Sequence, residues 1–144
     1  MDADAMSGDA ETENRRLKCD ALILVVDDEP IVGEVVKLHL RRQGYGNVVA
    51  LTDSTLALEW IDRNRPTLVL LDLSMPRIGG IDILMHLKQD PALREIPVLV
   101  ITASCDPEIR GRVIGLGAVG IVDKPIDADD LVRLASAAIS ARAI

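Results

Sequence analysis

Ala21–Val26, Thr67–Leu71 and Ile96–Ile101 are short, nearly unbroken aliphatic runs, and each stops at a carboxylate or a hydroxyl. A strand with one wet face alternates polar and apolar residues. A continuous run fits a strand buried on both faces, and such strands belong to parallel sheets with helices packed on either side. The chain has no Phe and its aromatics are 1% of residues. Its core must therefore be built from Leu, Val, Ile and Ala.

Helical patterns fill the gaps between the runs. Pro30 suits the first turn of a helix. Ile31, Val35 and Leu38 then recur at helical spacing, and Gly44 provides a stop. Val48–Leu51 reads as a second strand. Asp53 or Ser54 can cap a helix ending near Asn64, which Pro66 prevents from continuing. A loop from Met75 to Gly80 precedes a helix marked by Ile81, Leu84 and Leu87. Asp106-Pro107 is a cap followed by a first-turn proline, for a helix reaching about Leu116. Val119–Val122 reads as a fifth strand. Asp127 caps the last helix, with Asp129 and Asp130 favoured by the dipole of its first turn.

Strand and helix thus alternate five times. This predicts an α/β fold: a flavodoxin-like (βα)5 domain with a doubly wound, parallel, five-stranded sheet in the order 2-1-3-4-5. The 144 residues fit one domain. Residues 1–19 are polar and aperiodic and read as a disordered acidic tail, leaving 20–144 as the folded domain.

The net charge of −7 argues against nucleic acid as a direct partner. No apolar run is long enough for a membrane span, and no segment resembles a signal peptide. Cys19 and Cys105 lack metal or redox spacing. The expectation is a cytoplasmic protein.

In this fold the functional crevice lies beyond the carboxyl ends of the strands. Those ends carry Asp27 and Asp28, then Asp72, Thr102 and Lys124. Like charges about 4 Å apart repel by on the order of 4 kcal/mol at an effective dielectric near 20. A hard divalent cation relieves this, and Mg2+ accepts a few carboxylates while keeping open positions for phosphate oxygens. An aspartate can attack phosphorus to form an acyl phosphate, and Lys124 offers charge for the developing anion.

Four motifs at these ends resemble the response-regulator receiver domain. They are Val-Val-Asp27-Asp28-Glu29-Pro30, Leu-Leu-Asp72-Leu-Ser-Met75-Pro76 with Gly80, Ile101-Thr102-Ala103, and Asp123-Lys124-Pro125. The resemblance runs from Ala21 to the end of the chain. It implies that Asp72 is the phosphoacceptor. It implies that Asp28 binds Mg2+ (or Mn2+) directly, with Asp27 as its partner and the Ser74 backbone carbonyl completing the ligands. Lys124 would bind a phosphoryl oxygen, Thr102 would move toward the new phosphate, and the Lys124-Pro125 bond would be cis. The donor would be a histidine kinase or a histidine phosphotransfer protein. Output would pass through the face of helix four, strand five and helix five to a protein target, with a homodimer allowed.

The resemblance is to a single-domain phosphoacceptor switch rather than an enzyme, signalling in trans or acting as a phosphate shuttle or sink. The chain departs from the family at Ile121, where an aromatic is usual, at Ile126, where Phe is frequent, and at Gly79, where Asp or Asn is common. Ser74 and Ser104 flank the site, and in the family such positions tune dephosphorylation. His39 and His86 fall within helices and receive no phosphorelay role, Cys105 receives no redox role, and Trp60 reads as packing. Two other readings stand beside this one. A pseudo-receiver would bind partners through a fixed surface. A small phosphohydrolase with an aspartyl-phosphate intermediate would need an acid where Ser74 stands.

Overall fold

The structure, a computed structural model, describes residues 3–143, with side-chain surroundings from residue 10 to 142. Its strands are β1 (Leu22–Val26), β2 (Asn47–Leu51), β3 (Leu68–Asp72), β4 (Val98–Thr102) and β5 (Gly120–Asp123). Its helices are α1 (Ala3–Asp20), α2 (Pro30–Arg42), α3 (Ala57–Asn64), α4 (Gly80–Gln89), α5 (Pro107–Gly115) and α6 (Ala128–Ala143). All pairings are parallel, in the order β2-β1-β3-β4-β5. The predicted architecture is therefore the observed one. Because α1 precedes β1, the fourth helix of the repeat is α5 and the fifth is α6.

Local chemistry sets the boundaries. Asp106 caps α5 by accepting from the Glu108 amide at 2.9 Å, with Pro107 in the first position. Asp127 accepts from the amides of Asp129 and Asp130 at 2.8 and 3.2 Å and so opens α6. Gly44 follows α2 with φ of 100°, a left-handed conformation that glycine adopts without penalty.

Alternate strand residues point to opposite faces. Ile23, Val25, Leu68, Leu70, Leu99 and Ile101 pack with α2 and α6. Leu24, Val26, Val69, Leu71, Val98 and Val100 pack with α3, α4 and α5. Each fully buried aliphatic side chain contributes about 1.5–3 kcal/mol, so β3, buried along its whole length, is pinned from both sides.

Two expectations are corrected. The buried face of α2 is Val32, Gly33, Val36 and Leu40, whereas Ile31 and Leu38 are 65% and 48% exposed. The apolar residues of the helix cover a broad arc, so spacing alone cannot select which part of it is buried. Close contact selects it: a β-carbon at Gly33 would lie 2.7 Å from that of Ala50 on β2. The second correction concerns residues 1–19, where α1 replaces the expected disorder over its described part. Glu11 and Arg15 pair at 3.9 Å one turn apart. The last turn docks through half-buried Leu17 and through Lys18, whose ammonium lies 5.6 Å from the centre of the Tyr45 ring. Helix-forming residues and tertiary contact outweigh the lack of an apolar period.

Candidate phosphoryl-acceptor site

Parallel pairing brings every strand's carboxyl end to one rim. Val26 is in register with Leu71, so Asp27 and Asp72 follow side by side on β1 and β3. Asp72 is in register with Ile101, and Thr102 with Asp123, which places Thr102 and Lys124 along the same edge. Asp27 and Asp72 are only 2% and 3% exposed, while Asp28 faces solvent. One carboxylate oxygen from each of Asp27, Asp28 and Asp72 lies within 4.8 Å of the others.

Lys124 reaches into this cluster. Its Nζ is 3.0 Å from Asp27 Oδ2, 3.2 Å from Glu29 Oε1 and 3.5 Å from Asp72 Oδ1. The Ser74 amide donates to Asp72 Oδ1 at 3.3 Å, and the Glu29 amide to Asp27 Oδ1 at 2.9 Å. Asp27 Oδ2 is met by the Lys124 ammonium, whereas Asp72 Oδ2 is buried without a hydrogen-bond partner. Such an atom is costly to leave unsatisfied.

The electrostatics follow from burial. Desolvation pushes the Asp72 pKa up to about 6, helped by the charge of Asp27; Lys124 and the Ser74 amide oppose the rise without cancelling it. Burial alone would lower the Lys124 pKa, but Asp27, Asp72 and Glu29 together hold it above its usual value. The site thus has an excess of negative charge that one ammonium does not balance. The orphaned Asp72 oxygen, crowded against the carboxylates of Asp27 and the exposed Asp28, fits a hard, oxygen-seeking divalent cation.

Thr102 is buried at the same rim, where its Oγ1 accepts from the Ser104 amide at 3.0 Å. A β-carbon at Gly80 would collide with the Asp72 backbone carbonyl, so the loop after Asp72 closes on a glycine. The Lys124-Pro125 bond is cis, as the resemblance implies. Ile121 is half-buried and packs in the core cluster of α3, α4 and α5. His39 is half-buried on α2, His86 is exposed on α4, and Cys105 is exposed in the loop after β4.

Two contacts at the rim lie outside the sequence pattern. Glu29, within the first motif, meets Lys124. Arg110 on α5 pairs at 2.7 Å with Asp123 of the last motif, and the place of Asp123 immediately before Lys124 is the one signal of it in the sequence.

The profile of the response regulator receiver domain matches residues 23–136. Among curated relatives, the phosphate regulon transcriptional regulatory protein PhoB of Escherichia coli is 36% identical over 110 residues, covering 76% of this chain and 48% of PhoB. The chemotaxis protein CheY-3 of Vibrio cholerae is 34% identical over 109 residues, covering 76% of this chain and 84% of CheY-3. The crystal structure of the receiver domain of NtrX from Brucella abortus superposes with a TM-score of 0.74 at 32% identity, covering 82% of this chain and 98% of that one. The chain spans about half the length of PhoB and of several other curated relatives that it matches.

Fold and rim together define a doubly wound α/β switch domain with an acidic pocket. The chain belongs to the response regulator receiver domain family, the phosphoacceptor module of two-component signalling.

Proposed function

We propose that Asp72 accepts a phosphoryl group from the phosphohistidine of a histidine kinase or histidine phosphotransfer protein. The observation that carries this reading is the Lys124 ammonium standing between the buried carboxylates of Asp27 and Asp72, with Asp72 Oδ2 left unpartnered.

An Asp72 carboxylate oxygen attacks phosphorus as the bond to the donor nitrogen breaks, leaving an acyl phosphate and a neutral imidazole once that nitrogen is protonated. Lys124 neutralises the phosphoryl oxygens, and the Ser74 amide orients the nucleophile. Asp27, Asp28, the second oxygen of Asp72 and the Ser74 carbonyl would hold Mg2+, with Mn2+ as a substitute. When bound, the cation supplies charge neutralisation for the transferring group. Thr102 Oγ1 then turns toward the phosphate, which adds about −1.5 to −2 charge.

Output passes through α5, β5 and α6, where Ile114 on α5 and Val119, just before β5, are exposed. The target would be a protein partner reached in trans. A shuttle or sink for phosphate would use the same site. Among the described residues no helix is long and apolar enough to cross a membrane.

Incubation with acetyl phosphate and Mg2+, followed by intact mass, tests the reading. One added phosphoryl group that disappears in Asp72→Ala supports it. No gain, or a gain that survives the substitution, overturns it and leaves a fixed-surface binding module.

A further inference from the structure

Helix α5 is lightly anchored. It buries one side chain, Val113, whereas α2 and α4 bury four residues each. It also contains Gly111 and Gly115, where an added β-carbon would meet nothing within 4 Å. Packing does not require these glycines. Each weakens a helix by about 0.5–1 kcal/mol relative to alanine.

A polar connection compensates. Arg110, with its side chain 33% exposed, donates from Nη1 to Asp123 Oδ1 at 2.7 Å and to the Ser104 carbonyl at 3.3 Å. Both acceptors adjoin groups that would bind phosphate. Asp123 ends β5 and is bonded to Lys124, whose amide donates to the Thr102 carbonyl at 2.9 Å. The Ser104 amide donates to Thr102 Oγ1. One guanidinium therefore joins the Thr102 loop, the Lys124 strand end and α5. The Ile121 side chain has no polar atom with which to make such a link.

We infer that Arg110 is a positioning residue that couples the state of Thr102 and Lys124 to α5. The coupling rests on the reading of Asp72 as phosphoacceptor. When Thr102 Oγ1 turns toward a phosphoryl group it gives up the Ser104 amide. The loop from Ala103 to Asp106 relaxes and the Ser104 carbonyl leaves Arg110. Helix α5 then keeps only the Asp123 leg of the clamp.

The test is amide hydrogen exchange of α5 in wild type and Arg110→Ala, free and with Mg2+ plus beryllofluoride, alongside intact mass after acetyl phosphate. In the free variant, α5 amides should exchange about tenfold faster, equal to about 1.4 kcal/mol, with β3 and β4 unchanged. Wild-type α5 should respond to beryllofluoride and the variant should lose most of that response while still taking up phosphate. Arg110→Lys, which keeps the charge but on a shorter side chain without the planar guanidinium, should fall between them. Asp123→Asn serves if Arg110→Ala does not fold. Unaltered α5 exchange in the free variant, with phosphate uptake intact, overturns the clamp alone. A wild-type chain that takes up no phosphate overturns the Asp72 reading and the coupling with it.

Discussion

Gly80 lies so close to Asp72 that a β-carbon on the first residue of α4 would occupy the space of the Asp72 backbone carbonyl. The glycine is there to admit the strand that carries the phosphoacceptor. Gly80→Ala should destabilise the fold by about 1–3 kcal/mol, because a backbone cannot step aside as a flexible side chain can. It should also slow phosphate uptake at Asp72. Urea titration and acetyl phosphate kinetics check the two effects.

Gly111→Ala should have the opposite sign. The position is helical, open and exposed, so alanine gains helix propensity without a clash. A rise of about 0.5–1 kcal/mol is expected, or roughly 2–4 °C in Tm. The same change should damp the response of α5 to beryllofluoride, read as hydrogen exchange.

Asp72 predicts a pH dependence in chelated protein. Below its ordinary pKa of 3.8 both folded and unfolded chains hold the proton. Between 3.8 and about 6 the folded chain keeps it while the unfolded chain releases it. The unfolded state then binds fewer protons, so stability falls as pH rises through this window and stays lower above it. Asp72→Asn removes the effect. At pH 8 in EDTA that variant should exceed wild type by about 3 kcal/mol, with the gap closing below pH 4. Denaturant melts of both proteins at the two pH values decide it.

Divalent cation should reverse that deficit. Mg2+ in the millimolar range should raise wild-type Tm at pH 8, and EDTA should return it. Asp28→Asn should lose most of the shift, since Asp28 is the exposed acid of the cluster and its loss leaves the two buried ones paired with Lys124. An equal shift in both proteins would place the cation elsewhere.

The strands, their order and the rim were legible because each rests on a local pattern: aliphatic runs closed by Asp27, Asp72 and Thr102, with Lys124 following β5. The α2 face was not, because Ile31, Val35 and Leu38 form an apolar stripe as good as Val32, Val36 and Leu40. Only the approach of Gly33 to Ala50 separates them, and that is a fact of packing. Helix α1 was hidden for a similar reason: its docking depends on Tyr45 and on α6. The partners of Lys124 were legible as far as the two buried acids. Glu29 and the Arg110–Asp123 pair were not, since each is a contact across sequence that no spacing rule reports.

The strand that carries Asp72 is also the middle strand of five, walled in on both faces and hydrogen-bonded on both sides. The chemistry would therefore strike an anvil. A blow there cannot move the anvil, so whatever recoils must be fastened at the rim, and it should recoil toward the edge where the sheet is thinnest, at β5 and the loosely held helix before it.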